Sequence, residues 1–283
     1  MAAWRKFWKS LLFISIAYVS LLVLLRVLES RFIFHPNYPD RLAGEWNPES
    51  LPVQAVWLLT ADGLKIHAWW IPAEGAKFTF LAFHGNAGNI TACIDVYKFL
   101  HDTPSNVLAV EYRGYGRSQG TPSEAGLYRD ADAAYNYLVR SRGMPPKSII
   151  SFGQSLGTSV AAHLAANSEV GGVILEAPFP SLSTMARRMF WFLPGTGFAV
   201  ADQFQTLRNV QKIKVPILIV HCSHDPVVPA DLADEVFAHA NQPKFVLRVV
   251  GECHVEASSI ATSQYRAALD SFLSAIPESP PQN

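Results

Sequence analysis

A serine flanked by two glycines stands at residues 153–157, where the sequence reads Gly-Gln-Ser-Leu-Gly. A strand-like apolar run precedes it and an alanine-rich, helix-like run follows it, so Ser155 is expected on a sharp turn from a strand to a helix. Such a turn needs glycines, because a larger side chain would collide with the neighbouring backbone. The start of the helix would direct N–H groups and positive dipole at the serine. The pattern therefore predicts that Ser155 is a nucleophile.

A serine hydroxyl becomes a good nucleophile when a base takes its proton and an acid orients that base. Asp225 follows directly after an apolar strand-like run and is the predicted acid, with Glu176 as the second choice. Two histidines come later in the chain. His239 falls in a helix-like stretch, whereas His254 falls in a loop after the last predicted strand, which favours His254 as the base. The chain order serine, acid, base is the one expected for this kind of turn.

The loop after the third predicted strand, 84–89, reads His-Gly-Asn-Ala-Gly-Asn. Its glycines allow the backbone to approach a reacting group closely. We predict that the N–H groups of Asn86 and of Leu156, which directly follows the serine, hold the negative oxygen of a tetrahedral intermediate. A phosphate-binding loop is the alternative interpretation, but no G-K-[ST] follows.

Two further patterns could suggest a cofactor or a metal. The run 113–120 superficially resembles the dinucleotide-binding G-x-G-x-x-G, but its third glycine comes one residue late and no helix starts directly after it. His221, His224, Asp225 and His254 have the residue types of zinc ligands, yet the predicted triad explains this set without a metal. We therefore predict neither a cofactor nor a metal.

The body of the chain alternates strand-like and helix-like segments, which predicts a doubly wound, mostly parallel α/β sheet. The first two strands look like an antiparallel pair, and the later continuous apolar runs suit parallel strands buried on both faces. The predicted strands are 54–59, 65–71, 78–83, 107–111, 148–152, 172–175, 217–221 and 245–250. The predicted helices are 90–100, 123–141, 156–167, 231–240 and 255–275. The residues Thr-Pro-Ser-Glu at 121–124 predict a capping box with proline at the first helical position.

One interval, 179–213, interrupts this alternation between the sixth and seventh predicted strands. It is interpreted either as a small lid over an apolar pocket or as ordinary helix packing. Its aromatic and methionine residues are Met185, Met189, Phe190, Trp191, Phe192 and Phe198. The proline-rich tail 277–283 is predicted to be disordered.

The N-terminus predicts a membrane anchor. Arg5, Lys6 and Lys9 precede an uncharged stretch at 10–25, and flanking apolar residues extend it to 7–28, enough to cross a bilayer. A cleavable signal peptide is the alternative, but no A-x-A-like site follows the apolar run. The positive charges before the segment place the N-terminus in the cytoplasm and the remainder of the chain on the other side.

Length and charge limit the other possibilities. The 283 residues suit an anchor at 1–30 followed by one large domain at 31–276. Lysine plus arginine and aspartate plus glutamate both number 23, so the formal net charge is zero. A nucleic-acid-binding protein would need a basic stripe, so no nucleic-acid partner is predicted. The sequence leaves the oligomeric state open.

The three cysteines are too few for a disulfide scaffold and contain no CxxC pair. Cys222 and Cys253 both lie just past predicted strands, close to the predicted acid and base. A disulfide between them in an oxidising compartment is one interpretation. Two small buried side chains are the favoured one, because a sequence does not show the Cα separation that a disulfide requires.

Four motifs appear in order behind the apolar N-terminus: HGNAGN, EYRGYGRS, GQSLG and HDPVVP. Together they resemble the single-pass, membrane-anchored α/β-hydrolase-domain proteins of bacteria and eukaryotes, and the likeness spans about 32–272. This resemblance implies an α/β-hydrolase fold and a Ser-His-Asp hydrolase without a cofactor, acting on esters or thioesters, commonly of acylated lipids or acylated proteins. The residues that it implies for the triad and the oxyanion hole are Ser155, Asp225, His254, Asn86 and Leu156.

The functional hypothesis is a membrane-tethered serine hydrolase that cleaves carboxylic esters or thioesters of lipophilic acyl substrates through an acyl-enzyme. A serine peptidase with the same triad, a catalytically inactive binding scaffold and a soluble secreted esterase remain as alternatives. The lipophilic substrate is an inference from the anchor and the aromatic interval, since the fold does not specify a substrate.

Overall fold

The computed structural model describes residues 1–201 and 203–277, so the predicted disordered tail lies, beyond Pro277, outside the described residues. A long N-terminal helix leads into alternating strands and helices. The strands are β1 (Gln54–Leu59), β2 (Lys65–Ile71), β3 (Phe78–Phe83), β4 (Ser105–Val110), β5 (Ile149–Gln154), β6 (Gly172–Glu176), β7 (Ile217–Cys222) and β8 (Lys244–Val249). The α-helices are α1 (Ala2–Ile33), α2 (Ile94–His101), α3 (Glu124–Asn136), α4 (Leu156–Asn167), α5 (Leu182–Met189), α6 (Thr206–Val210), α7 (Ala230–His239), α8 (Ala257–Ile260) and α9 (Thr262–Ser274).

The eight strands form one sheet in the order β1-β2-β4-β3-β5-β6-β7-β8. β1 pairs with β2 and β2 with β4 in antiparallel fashion, and every later pairing is parallel. This is the α/β-hydrolase arrangement, and it confirms the predicted fold. The central strands β4, β5 and β6 are buried along their whole length, because helices cover both faces of a parallel sheet.

Alternate residues of each strand feed two separate apolar layers. Leu81 and Phe83 of β3 belong to the layer on one face, while Phe80 and Ala82 belong to the layer on the other. Helix α4, which follows Ser155, contributes Val160 and Ala161 to the first layer. This two-layer core fixes the register of the strands, because a shift by one residue would exchange the two faces.

The predicted capping box was wrong, because the cap of α3 lies two residues after Thr121. The helix is capped by Ser123, whose hydroxyl accepts a hydrogen bond from Gly126 N, and Thr121 lies before the cap. Glu124 therefore stands at the first helical position and its carboxylate is not used for a capping box. Instead it accepts hydrogen bonds from Gln203 N at 2.7 Å and Phe204 N at 2.9 Å. The carboxylate thus ties α3 to the chain between β6 and β7.

The interval 179–213, which we call the insertion, contains α5, a single 3₁₀ turn at Thr196–Phe198 and α6. Its two ends are joined to each other by Leu182 N donating to Gln203 O at 2.8 Å and by Leu207 N donating to Pro180 O at 3.0 Å. The insertion is therefore a closed excursion from the sheet, leaving and returning beside β6 and β7.

Helix α1 stands largely free of the domain. It is long and apolar enough to cross a membrane, and no residue of its most apolar window is buried. A signal sequence near the N-terminus would meet the same criteria of length and apolarity. The C-terminal end of α1 leads to Phe34, which is buried and packs its ring edge-on against Phe204.

Candidate active site

The loops that carry the predicted site residues all leave the carboxyl ends of parallel strands. The 84–89 loop follows β3, Ser155 follows β5, Asp225 follows β7 and His254 follows β8. Because β3, β5, β6, β7 and β8 are neighbours and parallel, these ends meet at one edge of the sheet. Ligands of open α/β sheets bind at this edge.

Ser155 occupies the turn between β5 and α4 with φ 51° and ψ −117°. Its N–H donates to Glu176 O at 2.8 Å, which secures the turn against β6. A Cβ on Gly153 would lie 2.2 Å from Gly157 O, and a Cβ on Gly157 would lie 2.2 Å from Phe83 O. The two flanking glycines are therefore required by backbone contacts, and a strained serine conformation of this kind costs about 1–3 kcal/mol.

Asp225 and His254 are joined by a hydrogen bond of 2.7 Å between Asp225 Oδ2 and His254 Nδ1. The other carboxylate oxygen, Oδ1, accepts from Val227 N at 2.7 Å and Val228 N at 2.9 Å. The Asp225 side chain is fully buried, while His254 exposes 18% of its side chain. The arrangement fixes the imidazole plane and directs Nε2 away from the carboxylate.

The pKa of the Asp225 carboxyl lies below its ordinary value. Burial acts in the opposite direction and raises the pKa, but the hydrogen bonds from His254 and from the Val227 and Val228 N–H groups outweigh it. Asp225 is therefore a carboxylate at neutral pH, the form that accepts a hydrogen bond from the imidazole N–H.

The loops that carry Asp225 and His254 are cross-linked. Cys222 and Cys253 form a disulfide with a Cα–Cα separation of 5.5 Å. This corrects the favoured interpretation of two unpaired fillers, and the reason is that only the parallel pairing of β7 with β8 brings the two cysteines together. The Glu256 carboxylate adds a second restraint, accepting from the backbone N–H of His254 at 2.8 Å. No signal in the sequence marked Glu256.

The 84–89 loop lies against the serine, since a Cβ on Gly85 would stand 3.6 Å from Ser155 Cβ. The Asn86 backbone carbonyl accepts hydrogen bonds from His35 N at 2.9 Å and Tyr115 Oη at 2.8 Å. The side-chain amide nitrogen of Asn86, Nδ2, donates to Ile33 O at 3.1 Å. Sequence reasoning missed these partners, because they lie 29 to 53 residues away in the chain.

The N–H groups of Asn86 and Leu156 form no hydrogen bond with any described residue. Both flank Ser155, one on the neighbouring loop and one at the start of α4. Two free donors beside a serine are what an oxyanion requires. Ser155 Oγ is likewise not hydrogen-bonded within the described part of the chain, so no hydrogen bond joins it to His254. Catalytic hydrogen bonds are often long or poorly aligned before substrate binds.

A buried pair underlies the loop. His84 Nε2 lies 3.3 Å from Glu111 Oε1, without the alignment of a hydrogen bond, and both side chains are buried. Glu111 also accepts from Ile90 N at 3.3 Å, and Tyr112 Oη donates to His84 O at 2.9 Å. These contacts support the 84–89 loop.

Glu176, the second choice for the acid, is not brought to His254. It ends β6 in the core, where its carboxyl accepts hydrogen bonds from Gln154 Nε2 at 3.0 Å and Ala257 N at 3.3 Å. Burial raises the pKa of Glu176 to about 8, although these two hydrogen bonds oppose the shift. The group is therefore largely protonated at neutral pH and does not provide the negative charge that an imidazolium needs.

The zinc set considered from the sequence does not come together in a metal-binding arrangement. His221 Nε2 lies 4.0 Å from Asp225 Oδ2, while His224 Nδ1 contacts Ser223 Oγ at 2.9 Å. Across residues 1–201 and 203–277, no group of three or more His, Cys, Asp or Glu side chains is arranged to hold a metal ion.

Comparison with known proteins agrees with this architecture. A family model described as the alpha/beta hydrolase fold matches residues 79–210. The chain is 30% identical to the uncharacterized protein YfhR of Salmonella typhimurium over 95% of this chain and 96% of that protein. It is 33% identical to the alpha/beta hydrolase domain-containing protein WAV2 of Arabidopsis thaliana over 76% of this chain and 73% of that protein.

Among solved structures, the Pyrococcus furiosus esterase Pf2001 superposes with a TM-score of 0.70 at 22% identity, covering 83% of this chain and 98% of that one. This likeness extends the common fold well beyond the range of the family model. The sheet order, the strand-to-helix serine turn and the two relatives lead to one conclusion: the chain belongs to the alpha/beta hydrolase family.

Proposed function

We propose that the protein is a membrane-tethered serine hydrolase that cleaves carboxylic ester or thioester bonds of lipophilic acyl substrates. The observation that carries the proposal is the 2.7 Å hydrogen bond between Asp225 and His254 at the sheet edge where Ser155 stands on its strained turn. A buried carboxylate that accepts a hydrogen bond from Nδ1 leaves Nε2 of the imidazole as the base for a serine hydroxyl.

The reaction begins when His254 Nε2 takes the Ser155 proton and Ser155 Oγ attacks the acyl carbonyl carbon. The carbonyl oxygen becomes an oxyanion, which the N–H groups of Asn86 and Leu156 stabilise. His254 then gives its proton to the departing alkoxide or thiolate, which leaves an acyl-enzyme on Ser155. Water, deprotonated by His254, attacks the acyl-enzyme; the carboxylic acid departs and the proton returns to Ser155 Oγ. Asp225 supports the positive charge that His254 carries in both steps.

The tether is α1, inserted through residues 7–28, with the N-terminus in the cytoplasm and the catalytic domain on the other side. Two observations support this orientation. Three positive side chains precede the apolar run, and the Cys222–Cys253 disulfide is of a kind that persists in oxidising compartments rather than in the cytosol. The anchor occupies 1–30, the hydrolase domain 31–276, and the insertion at 179–213 serves as its lid.

Labelling of the purified full chain with a fluorophosphonate probe tests the chemistry, because the probe reacts only with an activated serine. Wild type and Ser263→Ala, which alters an exposed serine on α9, are expected to label, whereas Ser155→Ala is expected not to. Label on Ser155→Ala would mean that another serine is the nucleophile. A folded wild type that does not label would favour a binding scaffold and overturn the proposal.

The substrate class requires a second measurement. Matched p-nitrophenyl esters, acyl-thioesters and p-nitroanilides of one acyl chain separate esterase, thioesterase and peptidase activity. We expect turnover of the ester and the thioester and much slower turnover of the anilide. A preference for the anilide would replace the proposed activity by that of a serine peptidase.

A further inference from the structure

Within the insertion, helix α5 leads into an uncharged, aromatic segment. We call this segment the tip and define it as residues 189–195, Met-Phe-Trp-Phe-Leu-Pro-Gly. Met189, Phe190, Trp191 and Phe192 are all exposed, Trp191 by 80%. Rings within the tip contact mainly one another, at centroid distances of 6.5 Å and 6.1 Å. A contiguous apolar patch of this kind usually marks a surface that another apolar phase covers.

The tip lies beside the middle of α1 rather than beside its end. The Tyr18 hydroxyl donates a hydrogen bond to the Pro194 carbonyl. One residue further along the insertion, a Cβ on Gly195 would stand 3.4 Å from Leu22 Cδ1. Tyr18 falls in the centre of the uncharged run of α1, so the tip shares the level of the most apolar part of the helix.

Polar contacts between the insertion and α1 occur nearer the domain. Glu29 accepts a hydrogen bond from Ala201 N. Between this level and the tip lies a cavity of about 390 Å³ whose lining includes Arg26 and Arg187. From Arg26 towards Tyr18, both α1 and the insertion beside it change from charged to apolar. This is the change in polarity expected from the surface of a bilayer to its interior.

The helix provides the scale for this gradient. At a rise of about 1.5 Å per residue, Tyr18 lies roughly 12 Å along the axis from Arg26. One leaflet of a bilayer contributes about 15 Å of hydrocarbon. With Arg26 at the headgroup level, a segment that contacts Tyr18 must lie inside the hydrocarbon. The four exposed tip side chains would then meet lipid rather than water.

We propose that the tip 189–195 inserts into the hydrocarbon layer of the leaflet that surrounds the C-terminal half of α1, an inference that rests on the membrane tether proposed above. The tip and α1 together form a two-point attachment that holds the domain against the membrane. Lipophilic acyl substrates therefore reach Ser155 from this leaflet and not from water.

The depth of the tip is measured with the full chain in phosphatidylcholine and phosphatidylglycerol vesicles, in a Cys93→Ala background with the disulfide intact. The environment-sensitive fluorophore NBD is attached at Trp191→Cys in the tip, at Phe13→Cys in α1, and at Leu59→Cys, whose native side chain is 70% exposed on β1. Phospholipids that carry a doxyl quencher on the acyl chain are expected to reduce NBD emission at residues 191 and 13 but not at residue 59.

Each other outcome overturns the inference in a distinguishable way. Quenching at residue 13 without quenching at residue 191 leaves the tether and removes the inserted tip. Protection of residue 191 from aqueous iodide without quenching by doxyl lipids would mean that a protein, such as a second copy of the chain, covers the tip. Absence of quenching at both residues would remove the tether itself, and the inserted tip with it.

A kinetic measurement tests the consequence for substrate access. Trp191→Ser/Phe192→Ser is compared with Leu59→Ser on an acyl ester embedded in vesicles and on a short water-soluble ester. The turnover of the embedded ester divided by that of the soluble ester is expected to fall about tenfold or more in the tip variant, because two aromatic side chains that insert into lipid are removed. An unchanged ratio refutes the inference. If the wild type hydrolyses neither the embedded nor the soluble ester, the hydrolase proposal is refuted instead.

Discussion

Replacing Glu176 by glutamine separates the two carboxyl groups that the sequence offers as the acid. Glu176 is fully buried, and burial raises its pKa from 4.5 to about 8. In the unfolded chain the carboxyl group returns to its ordinary pKa. Between these two values the folded protein holds a proton that the unfolded chain has released, so the free energy of unfolding falls as the pH rises. Glutamine carries no titrating proton, so the variant lacks this dependence.

The magnitude follows from the pKa difference. Each pH unit between the two pKa values changes the free energy of unfolding by about 1.4 kcal/mol. From pH 4.5 to about 8, the wild type therefore loses about 5 kcal/mol relative to Glu176→Gln. Below pH 4.5 and above pH 8 the two curves run parallel. The amide also faces the donors Gln154 Nε2 and Ala257 N, which adds an offset that does not vary with pH.

Urea unfolding of the detergent-solubilised full chain, followed by tryptophan fluorescence at pH 5, 6, 7 and 8, measures this difference. The expected result is a variant that becomes steadily more stable relative to wild type as the pH rises. Curves that stay parallel from pH 5 to pH 8 would refute the buried, protonated state of Glu176. The offset from the amide does not affect this comparison, because only the slope is used.

The same variant tests the assignment of the acid. Glu176→Gln is expected to keep most of the hydrolase activity, because Glu176 does not contact His254. Asp225→Asn is expected to lower kcat by about 10⁴-fold, because an amide at this position favours the wrong imidazole tautomer. A loss of that size in Glu176→Gln, with Asp225→Asn active and both variants folded, would reverse the assignment.

Two further predictions concern the framework of the site. Gly157→Ala places a Cβ 2.2 Å from a backbone oxygen and is expected to destabilise the domain by about 3 kcal/mol or more. Gly85→Ala is the control, because its Cβ would lie 3.6 Å from the nearest atom. Equal melting temperatures for the two variants would contradict the tight turn around Ser155. Cys222→Ser/Cys253→Ser opens a cross-link that spans 31 residues and is expected to cost about 3–4 kcal/mol of stability and to slow fluorophosphonate labelling, since His254 adjoins the bridge. Unchanged labelling and melting after mild reduction would show that the disulfide restrains neither.

Much of the fold was predictable because its signals are local. Each of the eight strands lies where an apolar run predicts it, with boundaries that differ by at most a few residues. The helix expected at 255–275 is divided into α8 and α9 at Ala261, and a continuous apolar pattern did not reveal the break. The cap of α3 was misplaced because Thr121 and Ser123 both offer a hydroxyl cap, and in the structure Ser123 accepts the hydrogen bond from Gly126 N.

The sequence by itself determined the family, the sheet, and the candidate nucleophile, acid and base, because a strand-to-helix turn, a buried strand and its following loop each leave a short-range pattern. The tertiary structure decided what depends on distant residues meeting. It brought Asp225 rather than Glu176 to His254, paired Cys222 with Cys253 across adjacent strands, and seated the Asn86 loop on the end of α1. Contacts of this kind have no local signature, since they arise only when the sheet brings separate loops to one edge.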